Sequence, residues 1–204
     1  MSTGALPSYK DPVITHTYTC SKMTITGLNQ LNEEQLRTEL AKCCGARAWV
    51  DKMLGYFPVA DTQALVVAGE EAWYGCREKD WLEAFSHHPR IGDIDALAKK
   101  FGAGDAAPGV ANPAPGAGTE EWAASEQSGV NTASQELLAE LAEANRTYEE
   151  KFGYIFIVCA TGMSAMDMLT LLKSRMMNAP GAEINIAMME QNKITKLRLE
   201  KLVS

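Results

Sequence analysis

The feature that most constrains this 204-residue chain is a series of helix-start signals that recurs from Asn32 onward. Gln35 follows Asn32 by three residues and Asp167 follows Ser164 by three, which is the spacing of a capping box. Asp61 also stands just before a helical pattern. These signals predict an all-α fold, a single compact domain of about eight to nine helices. The predicted helices cover residues 33–44, 46–55, 61–76, 79–87, 94–101, 119–127, 132–152, 164–178 and 182–202.

Two internal segments break this helical pattern. Fourteen of the seventeen residues from 102 to 118 are Gly, Ala or Pro, a composition that favours a flexible loop because it cannot bury apolar surface. Residues 154–160 read Tyr-Ile-Phe-Ile-Val-Cys-Ala, an apolar and β-branched run that predicts one short extended segment. The alternative for residues 154–160 is a buried start of the next helix.

The first 22 residues differ in composition from the rest of the chain. Residues 1–22 are rich in Thr, Ser, Tyr and Pro and show no helical period. We therefore expect an N-terminal tail, poorly ordered or non-native, that precedes a helical domain at 23–204. A short edge-pairing strand at 13–18 is the structured alternative.

Charge and cysteine content exclude several classes of protein. The formal net charge is −7 and the longest basic run is Lys99-Lys100, so a nucleic-acid partner is not expected. An odd number of cysteines, five, without metal-ligand spacing predicts no disulfide framework and no metal site. No apolar stretch approaches the roughly 18 residues that span a bilayer. These observations favour a cytoplasmic protein without a membrane partner.

His88 is the first candidate for a chemical role. Pro89 disfavours the helical conformation at His88, and Gly92 permits a tight turn, so we expect His88 on a rigid corner between helices. An imidazole near its ordinary pKa of about 6.5 exchanges a proton readily at neutral pH. The alternative is a helix-terminal histidine that only hydrogen-bonds backbone carbonyls.

Two further polar features carry candidate binding groups. Glu126 and Gln127 offer a carboxylate and an amide, which complement a urea or cyclic amide that both donates and accepts hydrogen bonds. Arg198 lies between two leucines, at the edge of an apolar helical stripe. Its guanidinium either extends to solvent or reaches into a pocket to bind a carboxylate.

Four motifs together resemble one family. They are His-Pro-Arg-Ile-Gly-Asp at 88–93, Ser-Glu-Gln-Ser-Gly at 125–129, the run from Asn145 to Ala160, and Ile-Thr-Lys-Leu-Arg-Leu at 194–199. In this order they resemble the 2-oxo-4-hydroxy-4-carboxy-5-ureidoimidazoline (OHCU) decarboxylases of uric acid degradation. The resemblance implies an all-α homodimer that uses neither metal nor organic cofactor. It also implies a carboxy-lyase that releases carbon dioxide from a ureidoimidazoline and forms S-allantoin.

The resemblance implies a role for each motif. His88 becomes the catalytic acid, and Glu126 and Arg198 complete the polar site. The residues implied to line the substrate are Pro89, Ala123, Ala124, Ser125, Glu126, Gln127, Phe156, Ile157, Val158, Cys159 and Ala160. Two other functions stay open: a metal-dependent hydrolase that uses His87 and His88, and a non-catalytic helical interaction protein.

Overall fold

The computed structural model describes residues 23–90 and 134–204, which form eight helices and no strand. Five helices come before residue 90: α1 (Ile25–Asn29), α2 (Glu33–Cys43), α3 (Arg47–Leu54), α4 (Thr62–Tyr74) and α5 (Glu78–Ser86). The other three are α6 (Gln135–Phe152), α7 (Ala165–Arg175) and α8 (Pro180–Leu202). The all-α prediction is confirmed. The predicted tail at 1–22, the loop at 102–118 and the helices at 94–101 and 119–127 lie outside the described residues.

The two predicted capping boxes are present. The Asn32 side chain accepts from the backbone N–H of Gln35 at 2.9 Å, and the Gln35 side chain accepts from the N–H of Asn32 at 3.1 Å. Ser164 and Asp167 make the same reciprocal pair at the start of α7. Gly153 ends α6 in the left-handed conformation, with φ of 80°. Local sequence therefore determines these helix boundaries because it satisfies the end groups that a helix leaves unpaired.

Three local expectations were wrong or incomplete. Helix α1 was not predicted, because five residues are too few to show a helical period. Helix α8 begins at Pro180 rather than at 182, since proline is favoured in the first turn, where its missing N–H costs nothing. Helix α7 ends at Arg175, three residues before the predicted end.

Helix α8 packs against two apolar clusters. Met188, Leu199 and Leu202 belong to the cluster formed with α1–α4, whereas Ala187 and Ile194 belong to the cluster formed with α6, α7 and the segment after α6. The backbone of α4 approaches α8 so closely at Gly69 that an added Cβ would lie 2.5 Å from Leu199. The side chains of α8 between the two clusters are therefore enclosed from both sides.

The predicted extended segment, 154–160, contains neither helix nor strand, and α7 begins only at Ala165, so the alternative of a helix start is wrong. Side chains satisfy part of its backbone. Arg175 donates from Nη1 to the carbonyl oxygen of Ile157 at 2.8 Å, and Glu190 accepts from the N–H of Cys159 at 2.8 Å. These backbone groups are therefore satisfied by the side chains of two helices, without a neighbouring strand.

Within residues 23–90 and 134–204, none of the helices combines the length and the apolar character that a bilayer span requires.

Candidate active site

The candidate site includes a row of polar side chains on one side of α8, called here the polar stripe. Gln191, Thr195 and Arg198 follow one another at spacings of four and three residues, which places them on one side of the helix. All three are buried, and Arg198 is only 5% exposed. The Arg198 side chain is therefore held inside the protein and does not extend to solvent.

His88 lies on a corner immediately after α5. Its backbone N–H donates to the carbonyl of Phe85 at 3.1 Å, and the Phe85 ring packs against Tyr154 at 5.4 Å between ring centroids. Two residues later, Arg90 donates to both carboxylate oxygens of Glu149 at 2.9 Å each. The corner is thus tied to α6 and to the start of the extended segment.

The neighbouring His87 packs against the turn between α2 and α3. A Cβ built on Gly45 would lie 2.4 Å from Cδ2 of the His87 ring. A side chain at position 45 would therefore displace the imidazole or the backbone that carries it. The absence of a side chain at Gly45 allows the corner with His87 and His88 to sit directly on this turn.

His88 reaches the polar stripe of α8. Its Nε2 lies 2.7 Å from Oε1 of Gln191. Burial, as the largest cause, and the positive charge of Arg198 together lower the pKa of the imidazole to about 3. The expectation of a pKa near 6.5 is wrong: although residue 88 stays partly accessible, its ring is desolvated and lies near a cation. The imidazole is neutral at neutral pH.

Two thiols border the same stripe. Burial raises the pKa of Cys43, and it raises the pKa of Cys44 to about 12, although Arg198 opposes both shifts. Both thiols therefore remain protonated at neutral pH and are poor nucleophiles. The reactive capacity of this region lies in the neutral imidazole and the guanidinium.

The extended segment approaches the same part of α8. Glu190, which holds the N–H of Cys159, directly precedes Gln191 in α8. Most of the segment predicted to line the substrate is buried, namely Phe156, Ile157, Val158 and Ala160, whereas Cys159 is partly accessible. The structure thus brings His88, Arg198 and this segment around one stretch of α8.

Not every predicted site residue can be placed. Pro89 is exposed beside His88. Glu126, Gln127 and the rest of the stretch 123–127 lie outside the described residues. In the two described ranges, no three His, Cys, Asp or Glu side chains are grouped in a way that could hold a metal ion.

Sequence reasoning missed Gln191 and Thr195. The sequence signal for them is their spacing: Thr195 stands three residues before Arg198, and Gln191 four residues before Thr195. All three therefore lie on one otherwise apolar face of the helix. Polar side chains that repeat on a buried stripe need partners, and the partner of Gln191 is His88, 103 residues away.

Comparison of the sequence with known proteins identifies relatives of this chain. The family model described as OHCU decarboxylase matches residues 29–200. The uric acid degradation bifunctional protein TTL of Arabidopsis thaliana is 39% identical over 166 residues, which cover 79% of this chain and 45% of that protein. A 2-oxo-4-hydroxy-4-carboxy-5-ureidoimidazoline decarboxylase of Amia calva is 34% identical over 65 residues, 32% of this chain and 37% of the relative. The match therefore spans less than half the length of these two relatives.

Solved structures agree with the sequence comparison. A crystal structure of OHCU decarboxylase in the presence of (S)-allantoin superposes with a TM-score of 0.63 at 35% identity, covering 85% of this chain and 99% of that one. A crystal structure of (S)-allantoin synthase gives a TM-score of 0.62 at 13% identity, covering 89% of this chain and 54% of the other, and shows the fold alone. Because the family model spans most of its length, the chain belongs to the OHCU decarboxylase family.

Proposed function

We propose that this protein decarboxylates 2-oxo-4-hydroxy-4-carboxy-5-ureidoimidazoline to S-allantoin and carbon dioxide, without a cofactor. One observation carries the proposal: a neutral His88 lies near the buried Arg198 in a chain of the OHCU decarboxylase family. A guanidinium and an uncharged imidazole at one place supply the two functions that an anionic substrate undergoing proton transfer requires.

The substrate supplies its own electron sink. Its carboxylate is attached to a carbon adjacent to a ring C=N bond, so the electrons released with carbon dioxide flow into the ring. No Schiff-base lysine or pyridoxal is needed for this step. The protein must therefore orient the substrate, stabilise its charge and deliver a proton to one face.

Arg198 is the proposed binding group for the negative charge. Its burial on α8 keeps competing water away, so its attraction for an anion is stronger than that of a surface arginine. Glu126 and Gln127 are proposed to hydrogen-bond the ureido and ring amide groups. Pro89, the stretch 123–127 and the segment Phe156 to Ala160 are proposed to line the substrate, the last partly through its backbone.

His88 is the proposed proton-transfer group. Because its low pKa keeps the imidazole neutral, His88 begins the reaction as a base rather than as the acid implied by the resemblance. The electron pair released with carbon dioxide moves onto the ring nitrogen, which takes a proton from water, and an enol remains. His88 accepts the hydroxyl proton of this enol as the C=O of the product forms. The resulting imidazolium then returns that proton to one face of the ring carbon that bears the ureido group, which sets the S configuration.

The test is a turnover assay on substrate generated in situ. Urate is converted by uricase and hydroxyisourate hydrolase, and the loss of the ureidoimidazoline is followed without added metal. We expect wild-type protein to accelerate this loss, and Arg198→Met to lower kcat/KM by about a hundredfold, the order of magnitude for truncating one member of a buried charge pair. Lys196→Met is the matched control, because Lys196 is on the same helix but pairs with Glu70 near the surface.

The opposite outcome is equally specific. If wild-type protein leaves the slow spontaneous decay unchanged, the proposed reaction is wrong. A non-catalytic interaction protein would then be the better interpretation, and Arg198→Met would affect only stability.

We also propose that the protein acts as a homodimer in the cytoplasm. The family resemblance supports the dimer, and the buried thiols of Cys43, Cys44 and Cys76, none of them in a disulfide, are consistent with a reducing compartment. Light scattering of the purified full chain tests the dimer, since a monomer mass at micromolar concentration would contradict it.

A further inference from the structure

We propose that Gln191 is a positioning residue that selects the tautomer of His88, so that Nε2 carries the hydrogen and Nδ1 is the nitrogen that accepts a substrate proton. Its effect on turnover rests on the proposed function, whereas the tautomer itself does not. The proposal assigns a role to a buried amide that contributes no charge and lies outside the four recognised motifs.

The contact between the two side chains determines which atom donates. His88 Nε2 and Gln191 Oε1 are 2.7 Å apart, and Gln191 is completely buried. An amide oxygen only accepts hydrogen bonds, so the imidazole nitrogen must be the donor. Since the ring is neutral, it carries one hydrogen, and Nδ1 retains a lone pair.

A second contact engages the NH₂ group of the Gln191 amide. Its Nε2 donates to Oγ1 of Thr195 at 3.2 Å, and Thr195 is also completely buried. The Thr195 side chain also lies beside the Cys44 thiol and opposes the effect of burial on its pKa. Hydrogen bonds thus run in one direction from His88 through Gln191 to Thr195. Reversing the amide would direct its NH₂ group at Nε2 and force the other tautomer.

This arrangement has a consequence for catalysis that simple packing would not have. A neutral imidazole has two tautomers, and only one of them presents the lone pair on the required nitrogen. Without a fixed acceptor, both tautomers are populated and only a fraction of molecules is competent. Because Gln191 carries no charge, it selects the tautomer without converting His88 into an imidazolium.

The experiment combines nitrogen NMR of the histidine rings with kinetics. The His88 signals are assigned by their loss in His88→Asn, and the ¹⁵N shifts of Nδ1 and Nε2 identify the tautomer. We expect hydrogen on Nε2 in wild-type protein and a mixture of tautomers in Gln191→Met, which keeps the length of the side chain. We expect kcat to fall by about twofold to tenfold, in proportion to the loss of the competent tautomer, with KM changed by less than about twofold.

Two other variants complete the test. Thr195→Val leaves Gln191 in place but removes the acceptor that orients its amide, so a partial shift toward the second tautomer is expected even if Gln191→Met does not fold. Gln63→Met is the matched control, because Gln63 is exposed at the start of α4. It should change neither the spectra nor kcat.

The proposal is overturned if wild-type His88 carries its hydrogen on Nδ1, or if Gln191→Met and Thr195→Val leave the tautomer unchanged. Failure of the proposed function looks different. In that case the wild-type protein does not consume the ureidoimidazoline, while the NMR spectra still decide whether Gln191 selects the tautomer.

Discussion

Arg175 in α7 donates from Nη1 to the carbonyl oxygen of Ile157 at 2.8 Å, and thereby ties a buried helix to the extended segment beside the site. Its guanidinium also lies 4.7 Å from the centre of the Phe156 ring and forms a buried ion pair with Glu183. Tyr148 donates its hydroxyl hydrogen to the same carboxylate. One buried cation therefore holds both the backbone and a side chain of the segment proposed to line the substrate.

Arg175→Met should destabilise the protein strongly. The substitution leaves the fully buried Glu183 carboxylate without its cation, which costs about 3–5 kcal/mol of unfolding free energy. Urea denaturation measures this loss. The matched control is Lys173→Met on the same helix, whose ion pair with Glu140 is half exposed and worth about 0–1 kcal/mol.

A double variant distinguishes the effect of the unpaired Glu183 charge on stability from the effect of the lost Arg175–Ile157 hydrogen bond on activity. Arg175→Met with Glu183→Leu removes both buried charges and should recover part of the lost stability. Activity should remain low, because the carbonyl of Ile157 still lacks its donor. Full activity in the stable double variant would show that Arg175 does not position the segment.

Gly45→Ala should impair turnover with only a modest loss of stability. The new Cβ would lie 2.4 Å from the His87 ring, so the corner that carries His88 must shift. We expect kcat to fall by about tenfold, a typical effect of slight misplacement of a reacting group. The steady-state rate on the ureidoimidazoline is the measurement. Gly181→Ala is the control: its Cβ meets nothing within 4 Å, so wild-type turnover is expected.

If Gly45→Ala and Gly181→Ala have equal rates, the close contact between Gly45 and His87 has no part in positioning His88.

Folding stability should decrease in acid partly through His88. Its pKa is about 3 in the folded protein against an ordinary 6.5, so the unfolded chain binds a proton that the folded chain does not. The contribution is therefore complete above pH 6.5 and is lost as pH falls toward 3. Across this window the slope attributable to His88 is at most about 1.4 kcal/mol per pH unit.

Urea denaturation of wild type and His88→Asn from about pH 7 to about pH 4 isolates this contribution, since asparagine does not titrate. The stability of the variant should fall less steeply below pH 6.5, because it lacks the histidine that the unfolded chain protonates. The carboxylates are common to both proteins, so their contribution cancels in the difference between the two curves. Parallel curves would mean that His88 is not held neutral.

The helices were predictable wherever their ends are determined by neighbouring residues. Asn32 with Gln35, and Ser164 with Asp167, are pairs three residues apart whose side chains satisfy backbone groups of their own helix. The extended segment was predictable from its β-branched composition. Its support was not, because Arg175 reaches Ile157 across 18 residues and from another element.

The candidate site was predictable in part for the same reason. His88 and Arg198 were identified from motifs, but the low pKa of His88 depends on burial and on a cation 110 positions away in sequence. The partnership between His88 and Gln191 has no local signature, since it exists only once α8 packs beside the corner after α5. Composition and periodicity predict individual helices and segments. The pKa and the tautomer of His88 depend on how those helices pack against one another.

The most direct measurement is circular dichroism of allantoin formed from ureidoimidazoline that is generated in situ from urate. Wild-type protein should give a rapid signal of the S enantiomer, and His88→Asn should reduce both the rate and the enantiomeric excess, since proton return to one face is lost. Rapid formation of pure S product by His88→Asn would contradict the role given to His88. A slow racemic signal with wild-type protein would contradict the proposed reaction itself.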